Sequence, residues 1–129
     1  MKQATLILSF VMALALSGCN SSKENTKPAP AGSVRTIDVE EFATTITRND
    51  VRIIDVRTAK EFADGHIAEA ENKDVNQAGF GNDIVLDKGR KARNVIAVYC
   101  RSGKRSLKAA GILSQKGFTV LDLGGGILA

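Results

Sequence analysis

Val98-Tyr99-Cys100-Arg101-Ser102-Gly103-Lys104-Arg105-Ser106, residues 98–106, decides how the rest of this chain is read. A cysteine closes the apolar run Val95-Ile96-Ala97-Val98-Tyr99, and residues 101–107 lead into a helical pattern. A buried strand that turns directly into a helix is the unit of a parallel α/β sheet, and ligands collect outside the carboxyl ends of such strands. Cys100 therefore sits at a strand end that can face a ligand.

The same alternation extends in both directions. Val51 to Val56 is a β-branched run that reads as a second buried strand, and Thr119 to Leu123 reads as a third. Thr58 is placed to cap a short helix over Ala59 to Ala63, with Glu61 at the acidic position of a capping box and Asp64-Gly65 as the stop. A longer helix is expected over Ser106 to Gln115, with Leu107, Ala110 and Leu113 facing inward and Lys116-Gly117 closing it. Asp38 is placed to cap a helix reaching about Thr47, and Gly124-Gly125-Gly126 reads as a turn. Lys73 to Asn94 has the weakest pattern, with a helical turn or two expected over Phe80 to Leu86. Strands alternating with helices predict an α/β fold: a parallel sheet covered on both faces. Asp55 falls at the carboxyl end of its strand, as Cys100 does, so one shared crevice is expected for the two.

The chain has 129 residues, enough for one domain after its N-terminal segment is set aside. Met1-Lys2 followed by the apolar and small-residue run Ala4 to Ala15 reads as a secretory leader, shorter than the roughly 20 apolar residues a membrane-spanning helix needs. Its ending, Leu16-Ser17-Gly18-Cys19, resembles the bacterial lipobox. That resemblance makes 1–18 a lipoprotein signal peptide and Cys19 the lipidated first residue of the mature chain. Residues 19–33 then form a tether rich in Ser, Lys, Asn, Pro, Ala and Gly, with an average reach of roughly 20 Å. Residues 34–129 form the folded domain. The expected setting is the bacterial cell envelope, with attachment to the membrane through Cys19.

Charge is distributed unevenly. Removing the leader takes Lys2 and no acid, so the formal charge falls from +4 to +3. Val34 to Asp87 holds six Lys/Arg against twelve Asp/Glu, whereas Lys88 to Lys108 holds eight Lys/Arg and no acid. This asymmetry predicts an anion-attracting field around Cys100. A single Tyr, no series of aromatics for base stacking and an exported setting argue against nucleic acid as the partner. With Cys19 acylated, Cys100 is the one remaining thiol and no internal disulfide can form.

A free thiol, with pKa about 8.5, is mostly protonated at neutral pH, and the thiolate is the nucleophile. Three features of the loop favour the anion: a following helix N-terminus, a glycine that permits a nest of backbone N–H groups, and the cations Arg101, Lys104 and Arg105. A persulfide anion suits the same cradle.

Cys100-Arg101-Ser102-Gly103-Lys104-Arg105-Ser106 resembles the active-site loop of the rhodanese (thiosulfate sulfurtransferase) family. The resemblance continues through Ile54-Asp55-Val56-Arg57, through Glu61-Phe62 with Gly65-His66-Ile67, Ala70 and Asn72, and through Gly117-Phe118 and Leu123-Gly124-Gly125-Gly126. These pieces run in the family's order across roughly 51–127. The resemblance implies a five-stranded parallel sheet flanked by helices, with Cys100 as the nucleophile. Cys100 would take a sulfane sulfur from thiosulfate, a polysulfide or a persulfide and pass it to a thiol or other thiophilic acceptor. Arg101, Ser102, Gly103, Lys104 and Arg105 would cradle the anion, with Asp55, Arg57 and His66 in support. No metal or organic cofactor is implied. A persulfide-carrying or anion-binding module without efficient turnover is the alternative function.

Four residues separate Cys100 from Arg105, whereas cysteine phosphatases, including those of related fold, have five. The shorter loop resembles the sulfur-transferring branch. The chain departs from the family pattern at Ala68, where Pro is usual, and at Glu69, where Gly is usual. It also ends at Ala129, before the family's final helix. His66, in the Gly-His-Ile turn, is expected to make structural hydrogen bonds, and Arg57 is expected to hold Asp55 or another acid.

Overall fold

A computed structural model describes residues 31–89 and 92–128; the segment expected to be a leader, Cys19, and Arg90-Lys91 of the basic loop lie outside the described residues. The elements are β1 (Val34–Ile37), α1 (Val39–Thr45), β2 (Val51–Asp55), α2 (Ala59–Asp64), β3 (Glu71–Asn72), β4 (Val95–Tyr99), α3 (Lys104–Gln115) and β5 (Thr119–Leu123), followed by a 3-10 turn over Gly126–Leu128. The five strands form one sheet in the order β1-β5-β4-β2-β3, and every neighbouring pair is parallel. β4, which delivers Cys100, is therefore the central strand, with β2 on one side and β5 on the other.

Strand alternation sorts the core into two layers. Ile54, Val56, Ile96, Val98, Cys100 and Val120 pack under Ala109, Ala110 and Leu113 of α3. Ile37, Val51, Ile53, Ala97, Tyr99, Leu121 and Leu123 form the opposite face with Phe42 of α1. Both faces are covered, as a parallel sheet of continuous apolar strands requires.

The local signals for the helix starts hold. Asp38 caps α1 by accepting from the Glu41 amide at 2.8 Å, and Thr58 caps α2 by accepting from the Glu61 amide at 3.2 Å. The Glu61 side chain is used elsewhere, so the reciprocal half of the expected capping box is replaced by a longer-range contact.

Four sequence expectations are corrected. Helix α3 starts at Lys104, two residues before the expected start, because Gly103 turns the chain with φ +100°. Leu107 is 54% exposed, and the inward stripe is Ser106, Ala109, Ala110 and Leu113. Phe80 to Leu86 forms turns followed by irregular chain, not helix. Gly79 and Gly81 take φ of +77° and +88°, which interrupts any helical run, and Ile84 is delivered into the core from this irregular stretch. The sheet has the five strands that the resemblance implies; β1 and β3, which the local pattern does not place, are edge strands of four and two residues, too short to show a period. Before β1, the Gly32 amide donates to the Phe118 carbonyl at 3.1 Å and the Ser33 carbonyl accepts from Val120 at 2.8 Å. The last residues of the segment read as tether thus lie along β5.

Candidate active site

The chain between β4 and α3 wraps the sulfur of Cys100. The Cys100 side chain is fully buried. The Gly103 amide donates to Sγ at 3.0 Å, and the Ser106 hydroxyl lies 3.5 Å from Sγ. That hydroxyl accepts from the Cys100 thiol and donates to the Gly103 carbonyl at 3.1 Å; once the thiol has lost its proton, the hydroxyl can donate to Sγ instead. Burial pushes the Cys100 thiol up. The opposing hydrogen bonds, from the Ser106 hydroxyl and from the amides of Ser106, Gly103 and Ser102, together bring it below the ordinary thiol value. The dominant supports of the anion are neutral dipoles of the loop and helix start.

The loop is held from below by the glycine turn. Ile127 donates its amide to the Cys100 carbonyl at 2.9 Å, and Leu128 donates to the Arg101 carbonyl at 3.3 Å. Gly126, at φ +69°, presses so closely that a Cβ there would stand 2.3 Å from the Arg101 carbonyl oxygen. No side chain larger than hydrogen fits without moving the cradle.

The three cations of the loop differ. Arg101 and Lys104 are exposed and form no ion pair among the described residues. Arg105 is clamped by Glu61: Nη1 donates to Oε1 at 3.2 Å and Nη2 to Oε2 at 2.9 Å. That carboxylate keeps the Arg105 guanidinium more firmly protonated than usual.

Asp55 does not share a crevice with Cys100, and this corrects the expectation drawn from the strand ends. Asp55 pairs in register with Tyr99, one residue before Cys100, so its side chain falls on the opposite face of the sheet. There it is fully buried and meets Arg57 in a two-pronged ion pair, Nε at 3.0 Å and Nη2 at 2.7 Å, while the Arg57 amide also donates to it at 2.9 Å. Arg57 donates further to the Gly65 carbonyl at 2.7 Å. Its guanidinium stands 5.6 Å from the ring centre of Tyr99, whose phenol is pushed up to about 12, chiefly by burial.

His66 is exposed. Its ring stacks on Phe62 at 3.6 Å, and Nδ1 donates to the Phe62 carbonyl at 2.8 Å. The Ile67 amide donates to the Tyr99 phenol at 3.0 Å, which pins the Gly-His-Ile turn to β4. These are the structural bonds expected of that turn. Two functional groups escape the sequence pattern: Ser106, which touches the sulfur although its position reads as the start of a helix, and Glu61, which binds Arg105 although its position reads as half of a capping box. The signal for Ser106 was a hydroxyl residue one helical turn beyond Gly103.

Taken together, these features define a parallel α/β domain with a buried thiol held in an amide cradle at the edge of its central strand. The model of the rhodanese-like domain matches residues 38–129, and the chain belongs to that family. A protein named sulfurtransferase from Allochromatium vinosum is 37% identical over 98 residues, covering 74% of this chain and 87% of the relative. Among solved structures, a rhodanese-related protein from Thermoplasma volcanium matches with TM-score 0.60 and 30% identity, over 73% of this chain and 87% of that one. A rhodanese-like domain protein from Staphylococcus aureus matches with TM-score 0.59 and 26% identity, over 72% of this chain and 87% of that one.

Proposed function

We propose that this protein is a sulfurtransferase in which Cys100 carries the sulfur. The observation that carries the reading is the thiol itself: it is buried, yet its sulfur is met by the Gly103 amide and the Ser106 hydroxyl and is biased toward the anion. The kinship with a protein named sulfurtransferase supports the same reading.

With thiosulfate, the Cys100 thiolate attacks the outer sulfur. A new S–S bond forms to Cys100, the S–S bond within thiosulfate breaks, and sulfite leaves with the electron pair. The product, Cys–S–S⁻, has the charge the thiolate had, and the amides that held the thiolate are placed to hold it. A thiophilic acceptor, cyanide in the simplest assay, then attacks the terminal sulfur and releases the thiolate. The exposed Arg101 and Lys104 attract the anionic donor, Ser102 and Gly103 supply amides, and Asp55, Arg57 and His66 hold the flanking turns. Polysulfides and persulfides fit the same exchange.

The test is thiocyanate formation from thiosulfate and cyanide by the protein, with Cys100→Ser reduced to background. Equal inactivity of both proteins with thiosulfate, polysulfide and glutathione persulfide overturns the enzyme reading. Uptake of one sulfur that discharges only slowly would instead identify a carrier.

The second part of the proposal is envelope attachment through a lipid on Cys19, supported by the Leu16-Ser17-Gly18-Cys19 sequence. Expression of the full chain in a bacterium fed labelled fatty acid tests it: label on the wild type and none on Cys19→Ala is expected. An unlabelled wild type contradicts it.

A further inference from the structure

Glu61 receives two cations at one carboxylate. Arg105 of α3 binds both of its oxygens, and Arg57 Nε lies 4.0 Å from Oε2. Arg57 in turn is locked to the buried Asp55. A chain of alternating charge, Asp55–Arg57–Glu61–Arg105, thus runs from the end of β2 through α2 to the first turn of the helix that follows the sulfur loop. Arg105 is five residues from Cys100, and the thiolate is one of the anions that raise its affinity for the proton. Its hydrogen bonds nevertheless go to Glu61. The sulfur keeps its hydrogen bonds to neutral groups.

We propose that Glu61 is a positioning residue of the sulfur site, holding the Arg105 guanidinium beside the sulfur rather than on it. This deepens the sulfurtransferase reading and rests on it. A guanidinium bonded directly to the Cys100 thiolate would tighten the hold on the anion and lower the nucleophilicity with which it attacks the donor. A guanidinium whose hydrogen bonds are taken by a carboxylate keeps the anionic donor attracted to the loop while leaving the thiolate free to attack it. The charged groups facing the loop are few. Arg101, Lys104 and Arg105 belong to the loop and α3, Glu61 comes from α2 with Arg57 behind it, and Asp74 approaches Arg105 from the segment after β3. The glycine turn presents no charge, and Asp55 lies across the sheet.

The test is the pH dependence of Cys100 alkylation by iodoacetamide, a neutral reagent, together with KM for thiosulfate and kcat with cyanide. Glu61→Gln is expected to lower the alkylation midpoint, to reduce KM by roughly two- to fivefold, the scale of a partly exposed charge contact, and to reduce kcat. Arg105→Gln, which leaves the Glu61 carboxylate facing the loop, is expected to raise the midpoint. The double variant is expected to return near the wild type, because the two charges cancel. Glu61→Asp keeps the charge and is expected to move the midpoint less than Glu61→Gln; with Arg105→Gln it tests the proposal even where Glu61→Gln does not fold. Unmoved midpoints, or a double variant that keeps the lowered midpoint of Glu61→Gln although Arg105 is gone, would overturn it. Alkylation uses no sulfur donor, so this arm decides the role of Glu61 whether or not the wild type takes up sulfur.

Discussion

The ends of β2 and β4 lie side by side, and each presents an acidic group. The two are treated in opposite ways. Asp55, at the end of β2, meets a full opposite charge: Arg57 grips both its oxygens, and the pair is buried. Cys100, just past the end of β4, meets amide and hydroxyl dipoles, while Arg101 and Lys104 stay exposed to solvent. An anion matched by a buried cation is fixed and serves the fold. An anion held by neutral dipoles keeps its charge available for chemistry.

The largest expected effect breaks the β4 side. Cys100→Ser removes the nucleophile and takes sulfur transfer to background in the thiocyanate assay, with the unfolding midpoint in urea below the thiol's titration range little changed. Next comes the β2 side. Arg57→Ala leaves the Asp55 carboxylate buried without its partner and should cost about 3–5 kcal/mol in urea unfolding. In whatever fraction stays folded, the alkylation midpoint of Cys100 should be nearly that of the wild type. A large stability loss confined to one strand end and a large activity loss confined to the other would uphold the contrast. Arg57→Ala abolishing thiol reactivity in a folded protein would break it.

Ser106→Ala probes the dipoles around the sulfur. It removes a hydrogen bond to the sulfur, so alkylation near neutral pH should slow several-fold and its midpoint should rise. Lys104→Glu should raise KM for thiosulfate while leaving the alkylation midpoint closer to the wild type than Ser106→Ala does. The reverse ranking would mean that charges, not dipoles, prepare the thiol. The sign of the linked pH effect follows from the depressed thiol value. The folded state holds the thiolate better than the unfolded state does. That contribution to stability is full above the ordinary thiol pKa and is lost as pH falls through the folded value. Cys100→Ser should therefore remove a pH-dependent increment of stability on the alkaline side, measurable by urea unfolding at a series of pH values.

The smallest effect concerns Glu69, which holds φ +67° where the family usually has glycine. Glu69→Gly should relieve the left-handed strain and stabilise the fold by up to about 1 kcal/mol, offset in part by the freedom glycine gains when unfolded. A loss of stability would show that the Glu69 side chain has a compensating contact.

How much of this was legible in sequence follows from the physics of each signal. The three inner strands and the caps at Asp38 and Thr58 showed themselves because burial on both faces and side-chain capping leave local patterns. The edge strands β1 and β3 did not, because residues 34–37 and 71–72 are too few for a period. Leu107 was placed inward because it is apolar. Its exposure shows that α3 is phased by Ala109, Ala110 and Leu113, whose smaller members let the helix lie close to β4. The cysteine loop was legible because its residues are contiguous. The split between Asp55 and Cys100 was not, since a one-residue offset between neighbouring strands is set by register and reverses the face. Glu61 was hidden for a similar reason: its partner is 44 residues away.

On the proposed function, Cys100 carries and releases a sulfur atom. Mass spectrometry of the wild-type protein after treatment with thiosulfate reads this at the atom itself. A gain of one sulfur on the peptide that contains Cys100 is expected, removed by cyanide and absent in Cys100→Ser. A Cys100 that alkylates readily yet gains no sulfur from thiosulfate, polysulfide or glutathione persulfide would contradict it.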